Sequence, residues 1–210
     1  DRLGRETRFA YPFYFSDLLL GEGISDYSVN LGALRQRFGT RGNEYGHAVT
    51  SGFYRHGITG GLNAGLRWES TLRRGNAGPT LSARLGEGGV VSASAAASFD
   101  EDVGASGNAL AVSYSYQIGA LSAQSSARQY SKRYAFIGVD DAAERPRSDL
   151  NASIGYGSAK LGSAALAYNE SRSEPERERR AWSLSYSRSL GAGFNLFGTL
   201  TSVRGTQRGT

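Results

Sequence analysis

The sequence contains no cysteine and no methionine, and only 2 of its 24 basic residues are lysine. The lack of cysteine excludes disulfide scaffolds, cysteine-ligated zinc sites and thiol nucleophiles. Long hydrophobic runs are also missing, because the longest uncharged stretch, 104–127, is rich in serine, glycine, asparagine and glutamine. No transmembrane helix is therefore predicted. Hydrophobic residues make up 39% of the chain, which is little for an ordinary core.

The net charge of +5 indicates no particular partner. The arginines are scattered or mixed with glutamate, as in 174–180, and no basic stripe with interleaved aromatic residues is present. Nucleic-acid binding is therefore not predicted. With neither an initiator methionine nor a signal peptide, we expect a mature chain or an excised piece.

Apolar and polar residues alternate along most of the chain. Leu110, Val112 and Tyr114, for example, alternate with Ala111 and Ser113. Such alternation is typical of strands, because successive side chains point to opposite faces of a sheet. Between Ser25 and Ser202 the pattern predicts about eleven strands and little helix, with strands at 27–33, 47–58, 62–68, 79–86, 90–99, 110–118, 121–130, 150–156, 161–169, 182–187 and 194–202.

The predicted connections alternate in length along the chain. The long polar ones are 38–46, 70–78, 100–107, 131–147 and 171–179. The short ones are 59–61, 86–89, 119–120, 158–160 and 191–193. Tight turns on one rim and long loops on the other are the layout of outer-membrane barrels, whereas a soluble sandwich mixes hairpins with crossovers. We therefore predict an all-β fold, an antiparallel up-and-down transmembrane β-barrel segment.

An odd number of strands is unusual for such barrels, which normally have an even number in bacteria. Residues 203–210 read as the start of another long loop. An open sheet in lipid would also leave unpaired edge groups at a cost of several kcal/mol each. We therefore expect an incomplete barrel, about half of a whole one.

The two faces of the predicted strands differ in chemistry. One face carries mainly serine, glycine, asparagine and glutamine, which suit a wet lumen, and the other carries alanine and other apolar residues, which suit lipid. The candidate lumen-facing residues are Asn30, Asn63, Arg67, Arg84, Ser113, Ser115, Asn151 and Ser185.

Aromatic residues fall near the predicted strand ends, as in the interfacial girdles of membrane barrels. The candidate membrane-interface residues are Tyr27, Trp68, Phe99, Tyr116, Tyr156, Tyr168, Trp182 and Phe194. The alternative is a soluble β-sandwich or curled sheet that uses these aromatic residues as its core.

Candidates for catalysis or metal binding are weak. The two histidines, His47 and His56, lie nine residues apart in one predicted strand, so they face opposite sides and cannot form one site. The acidic runs 100–102 and 140–141 are predicted to be solvated loops rather than cation sites, because Ca²⁺ needs six or more oxygen ligands. We predict no catalytic residue, no bound metal and no cofactor, and hence no enzyme.

The first 60 residues resemble the outer-membrane ushers of the chaperone–usher pathway. The matching words, in order, are Asp1-Arg2-Leu3-Gly4-Arg5-Glu6, Tyr11-Pro12-Phe13-Tyr14-Phe15-Ser16, Leu18-Leu19-Leu20, Gly23-Ile24-Ser25-Asp26-Tyr27-Ser28, Leu31-Gly32-Ala33-Leu34-Arg35, Tyr45-Gly46 and Ser51-Gly52-Phe53-Tyr54-Arg55-His56-Gly57-Ile58-Thr59. The resemblance implies that 1–15 is the end of the plug domain with its return linker, and that 16–210 is part of the translocation pore. Beyond residue 60, only the strand pattern supports it.

The resemblance further implies a function and a location. An usher pore in the bacterial outer membrane exports and assembles fimbrial or pilus subunits, which a periplasmic chaperone delivers. The first strand after the plug should then run outward to an extracellular loop, and the first predicted connection is indeed a long one. Two alternatives remain: another outer-membrane channel, such as a porin or an autotransporter, and a soluble all-β adhesin or binding module.

Overall fold

The computed structural model describes residues 19–35, 45–137, 145–173, 177–191 and 193–207. These residues form eleven strands and no helix, so none of them lies in a helix that is long and apolar enough to cross a membrane. The strands are β1 (Ser25–Arg35), β2 (Tyr45–Thr59), β3 (Leu62–Ser70), β4 (Arg74–Leu85), β5 (Gly89–Asp100), β6 (Ala105–Ile118), β7 (Leu121–Tyr130), β8 (Pro146–Ser158), β9 (Gly162–Ser173), β10 (Arg177–Gly191) and β11 (Phe194–Gln207).

The strands form one antiparallel sheet in sequence order, with each strand paired to its neighbours in the chain. This up-and-down meander confirms the predicted all-β fold class and all eleven predicted strands. Within the described residues, β1 pairs only with β2, and β11 pairs only with β10. The sheet therefore has two edges.

The prediction of uniformly long loops on one rim is wrong. The connections 71–73, 101–104 and 174–176 have only three or four residues, because the strands on either side continue into the predicted loops. Charged side chains at these strand ends pair across the sheet, as Arg74 does with Asp100 at 3.2 Å. Opposite charges on facing strands stabilise the pairing, so the ladder extends past the apolar part of each strand. Only 36–44 and 131–145 remain long, and we call their side of the sheet the long-loop rim.

The opposite rim, which we call the short-turn rim, has connections of two or three residues throughout. The turn between β6 and β7 consists of Gly119 and Ala120, and Gly119 has a φ of 56°. A positive φ matches the twist of a two-residue hairpin and is readily adopted by glycine. The short connections predicted on this rim are confirmed.

The register separates the side chains into two faces across the whole sheet. On the apolar face, Ala93, Val112, Ala127 and Leu150 stand opposite one another on successive strands. One residue along, the polar face presents the row Ser92, Ser113, Ser126 and Asn151. The alternation in the sequence thus becomes a pair of chemically distinct surfaces.

Large apolar side chains are exposed along the sheet, and on β3 to β6 the polar face is the buried one, which is the reverse of the burial in a water-soluble sheet. On the polar face, Asn63 and Ser92 are each 3% exposed, whereas on the apolar face Leu110 is 60% exposed and Leu31 is 83% exposed. Among the described residues the buried hydrophobic cluster is small, and it consists of Ala96, Ala109, Tyr130 and Tyr134. A soluble protein of this size would instead bury its large aliphatic side chains.

Candidate pore surface

All eight candidate lumen residues lie on the polar face. Their positions follow from the cross-strand register, in which Asn63 lies opposite Ser82, and Ser113 lies opposite both Ser92 and Ser126. Asn63 and Ser113 are buried, Arg67, Ser115 and Asn151 are partly buried, and Asn30, Arg84 and Ser185 are exposed. The structure therefore gathers residues from β1 to β10 on one polar surface.

Charges on the polar face are largely balanced by neighbours on the same face. Arg55 pairs with Asp26 across the β1–β2 ladder, and Arg67 lies 2.6 Å from Glu69 on β3. The uncharged side chains also bind one another, as the hydroxyls of Ser82 and Ser92 do at 2.8 Å. A surface of paired charges and small hydroxyls offers few strong contacts to a passing molecule.

The eight candidate interface aromatics all lie on the apolar face, where they form two rows. Tyr27, Tyr116, Tyr156 and Phe194 lie near the short-turn rim. Trp68, Phe99, Tyr168 and Trp182 lie near the long-loop rim. Tyr168 and Trp182 stand directly opposite each other on β9 and β10, with ring centroids 4.4 Å apart.

Two aromatics of the long-loop row lie over glycines of the adjacent strand. A side chain at Gly52 would collide with the ring of Trp68, and one at Gly75 would lie 2.5 Å from the ring of Phe99. Both positions require glycine, because each aromatic ring lies close against the backbone of the adjacent strand. This pairing accounts for two of the 29 glycines in the sequence.

Sequence reasoning missed one feature of the polar face, a segment that folds back over it. Residues 131–137 follow β7 and cross β6 towards β5, and we call them the returning segment. The backbone N–H of Asn108 donates to the Ser131 hydroxyl at 2.8 Å, and the N–H of Ala135 donates to the Ser98 hydroxyl at 2.9 Å. A side chain at Gly107 would overlap the backbone of Tyr134. The segment thus lies directly on the polar face.

The returning segment contributes Tyr134 to the small buried cluster and packs Phe136 against it, whereas Tyr130 is the last residue of β7. Tyr134 is 3% exposed, and its ring centroid lies 5.4 Å from that of Tyr130 and 4.9 Å from that of Phe136. Burial raises the pKa of the Tyr134 hydroxyl above its ordinary value of 10.0, and the nearby Glu69 adds to the rise. The sequence signal for this segment was the presence of two aromatic residues, Tyr134 and Phe136, inside a predicted polar loop.

The acidic run 100–102 is only partly the solvated loop that was predicted. Asp100 is the last residue of β5 and is 3% exposed, because Arg74 covers it. Asp102 is in the turn and accepts a hydrogen bond from Arg73 at 2.8 Å, which lowers the pKa of its carboxyl. The described residues contain no group of three acidic or histidine side chains that could hold a metal ion.

The remaining candidates give no site. His47 and His56 lie nine positions apart on β2, and the Nδ1 atom of His56 is 2.9 Å from the Ser25 hydroxyl. The run 140–141 lies outside the described residues, as does the predicted domain segment 1–15.

The sheet is similar to part of a known translocation pore. The solved structure of the translocation pore of the P pilus usher (PapC) matches with a TM-score of 0.72 and 16% sequence identity. The match covers 89% of this chain and 40% of that chain, so this chain spans less than half of the pore's length. The likeness shows a shared fold. No protein-family model matches the sequence, and no curated protein matches it.

Proposed function

We propose that the chain is part of an outer-membrane usher pore, which exports and assembles pilus subunits delivered by a periplasmic chaperone. The observation that carries the proposal is the reversed burial of the two faces, on a sheet that shares its fold with part of the P pilus usher pore. The usher-like words of the first 60 residues favour an usher over a porin or an autotransporter.

The apolar face suits the lipid side of such a pore. The side chains of Leu31, Leu110 and Leu200 are each at least 60% exposed. In water, an exposed apolar surface of this kind would cause aggregation. The two aromatic rows bound this surface, as they do in membrane barrels. In this arrangement the long-loop rim faces the cell exterior and the short-turn rim faces the periplasm.

The edges of the described sheet fit this assignment. Unpaired backbone groups at an edge are costly in lipid, so β1 and β11 need further strands beside them. We propose that 16–210 is part of a larger barrel whose other strands pair with β1 and β11, and that 1–15 is the end of the plug domain and its return linker. The polar face then lines the lumen.

The proposed task of the polar face is to let folded subunits pass without adhering. Pilus subunits join by donating a strand to a neighbour's sheet edge, a step that needs no nucleotide and no catalytic side chain in the barrel wall. The wall contributes paired charges, such as Arg67 with Glu69, and small hydroxyls, such as those of Ser82 and Ser92. Neither group offers a large apolar contact.

The test places apolar residues on the polar face of the full-length protein. Replacing Ser115, Ser153 and Ser185 with leucine should reduce surface pili while the barrel still folds, because these polar-face side chains are partly buried or exposed. Burying one leucine side chain against a passing subunit would stabilise the contact by about 1.5–3 kcal/mol. Each such contact would slow the release of the subunit about tenfold or more.

The matched control replaces Ala93, Ala97 and Ala123 with leucine on the apolar face, where added bulk should be neutral in lipid. Pili are counted by electron microscopy, and folding is checked by heat-dependent mobility in detergent. Normal piliation in the serine variant would refute the proposed role of the polar face. Failure of the native protein to enter the outer membrane would refute the pore itself.

A further inference from the structure

Charged side chains occupy the apolar face of β9, β10 and β11 just beyond the aromatic row. Tyr168 and Trp182 are paired across β9 and β10, and two residues further on, Glu170 pairs with Arg180. The next pair on this face is Arg172 with Glu178. Two residues along a strand span about 7 Å, so these charges lie one step outside the aromatic row.

Four of these side chains neutralise one another. Arg172 lies 2.9 Å from Glu170 and 3.5 Å from Glu178, and Arg180 lies 3.4 Å from Glu170 and also contacts Glu178. Arg172 and Arg180 still keep 54% and 50% of their side-chain surface exposed. Each guanidinium therefore has donors left for a further acceptor, since arginine carries five N–H groups.

A fifth charge breaks the balance. Arg204 on β11 stands directly opposite Arg180 on the same face, and it is exposed. No carboxylate among the described residues pairs with it. Like charges directly opposite each other on adjacent strands are destabilising, and side chains so placed start only about 5 Å apart. An anion held between the two guanidinium groups would relieve the repulsion.

We propose that Arg180 and Arg204 bind the phosphate of an anionic lipid headgroup from the side of the barrel. The inference rests on the proposed outer-membrane location. Because the pair lies beyond Trp182 on the lipid-facing surface, the anions available at that depth are headgroup phosphates, and arginine binds phosphate through two parallel hydrogen bonds. The polar face, which is proposed to line the lumen, would not contact lipid. The ligand class is therefore a lipid of the leaflet at the long-loop rim whose phosphate groups give it a net negative charge.

The test measures lipid binding to the folded full-length protein. Native mass spectrometry in detergent would follow titrations with lipid A, whose phosphate groups give it a net negative charge, and with phosphatidylcholine, whose phosphate charge is neutralised by its choline group. The main variant is Arg204→Gln, because this side chain makes no ion pair that folding could require within the described sheet. Arg204→Lys keeps the charge, and Arg180→Gln/Arg204→Gln removes both members. The matched control is Arg179→Gln, an exposed arginine at the same height of β10 on the polar face.

The expected result is a preference for lipid A that falls about fivefold in Arg204→Gln and further in the double variant, since one arginine near an anionic surface contributes on that order. Arg204→Lys should keep most of the binding, and Arg179→Gln all of it. Equal binding by the native protein and Arg204→Gln would overturn the inference, as would an equal loss in Arg179→Gln. Displacement of the lipid by an equal concentration of inorganic phosphate would also overturn it, because the site would then be one for free phosphate.

Failure of this inference is distinguishable from failure of the proposed function. Pili assembled by an Arg204→Gln protein that binds lipid A normally would leave the pore assignment standing. A native protein that is recovered outside the outer membrane would remove the basis of both.

Discussion

Substituting Gly107 with valine should lift the returning segment off the polar face. A Cβ at position 107 would overlap the backbone nitrogen of Tyr134 and lie 2.5 Å from its Cα. The obstacle is backbone rather than a flexible side chain, so a rotamer change cannot relieve it. Lifting the segment exposes the Tyr134 side chain, which costs about 1.5–3 kcal/mol of stability. It also breaks two hydrogen bonds, which cost about 1 kcal/mol each. The total is at most about 5 kcal/mol.

The assay uses the absence of cysteine from this sequence. Ala135 is 2% exposed, and cysteine there would be a small buried thiol that a water-soluble maleimide reaches only when the segment opens. In the full-length protein with Ala135→Cys as its one reactive thiol, Gly107→Val should raise the labelling rate by up to about four thousandfold, since each 1.4 kcal/mol is a factor of ten.

The matched control is Gly205→Val, on the same face of β11, where a Cβ would meet nothing closer than 3.7 Å. The reasoning is refuted if the two valine variants label Ala135→Cys at the same slow rate.

Three further outcomes follow from the same contacts. Ser98→Ala removes the acceptor of the Ala135 N–H, so labelling of Ala135→Cys should rise about fivefold to tenfold. Because burial raises the pKa of Tyr134 above 10.0, the stability that this side chain gives is complete below pH 10 and is lost as the pH rises further. Because the returning segment lies on the face that is proposed to line the lumen, its release should increase single-channel conductance above pH 10, and Tyr134→Phe should reduce this increase. Gly52→Val, which would collide with the Trp68 ring, should lower the unfolding free energy by about 1–3 kcal/mol, measured by urea titration.

The strands were predictable because the two faces of the sheet differ in polarity, so apolar and polar residues alternate along the sequence of each strand. The alternation at Leu110, Val112 and Tyr114 predicted β6, and the structure places these residues together on the apolar face. The same rule placed every candidate lumen residue on the opposite face. Local patterning is sufficient here because side chains alternate regardless of what each face contacts.

The strand ends were not predictable from the same rule. Arg74 and Asp100 are charged and lie in stretches that look like loops, yet Arg74 begins β4, Asp100 ends β5, and the two form a cross-strand pair. Pairing depends on which residue stands opposite, and that register cannot be deduced from one strand alone. The returning segment was missed for a related reason, since Gly107 and Tyr134 meet through a fold-back that no local pattern records.

The length of the strands explains why charges occur on the apolar face at all. β10 has 15 residues, whereas a tilted strand needs about 9–11 to cross a bilayer. The surplus of roughly five residues matches its charged start, where Glu178 and Arg180 lie beyond Trp182. In a soluble sheet these charges would merely increase solubility. In the proposed pore they would continue the wall past the hydrocarbon, where cross-strand ion pairs would replace lipid contacts and where Arg204 would meet the headgroups.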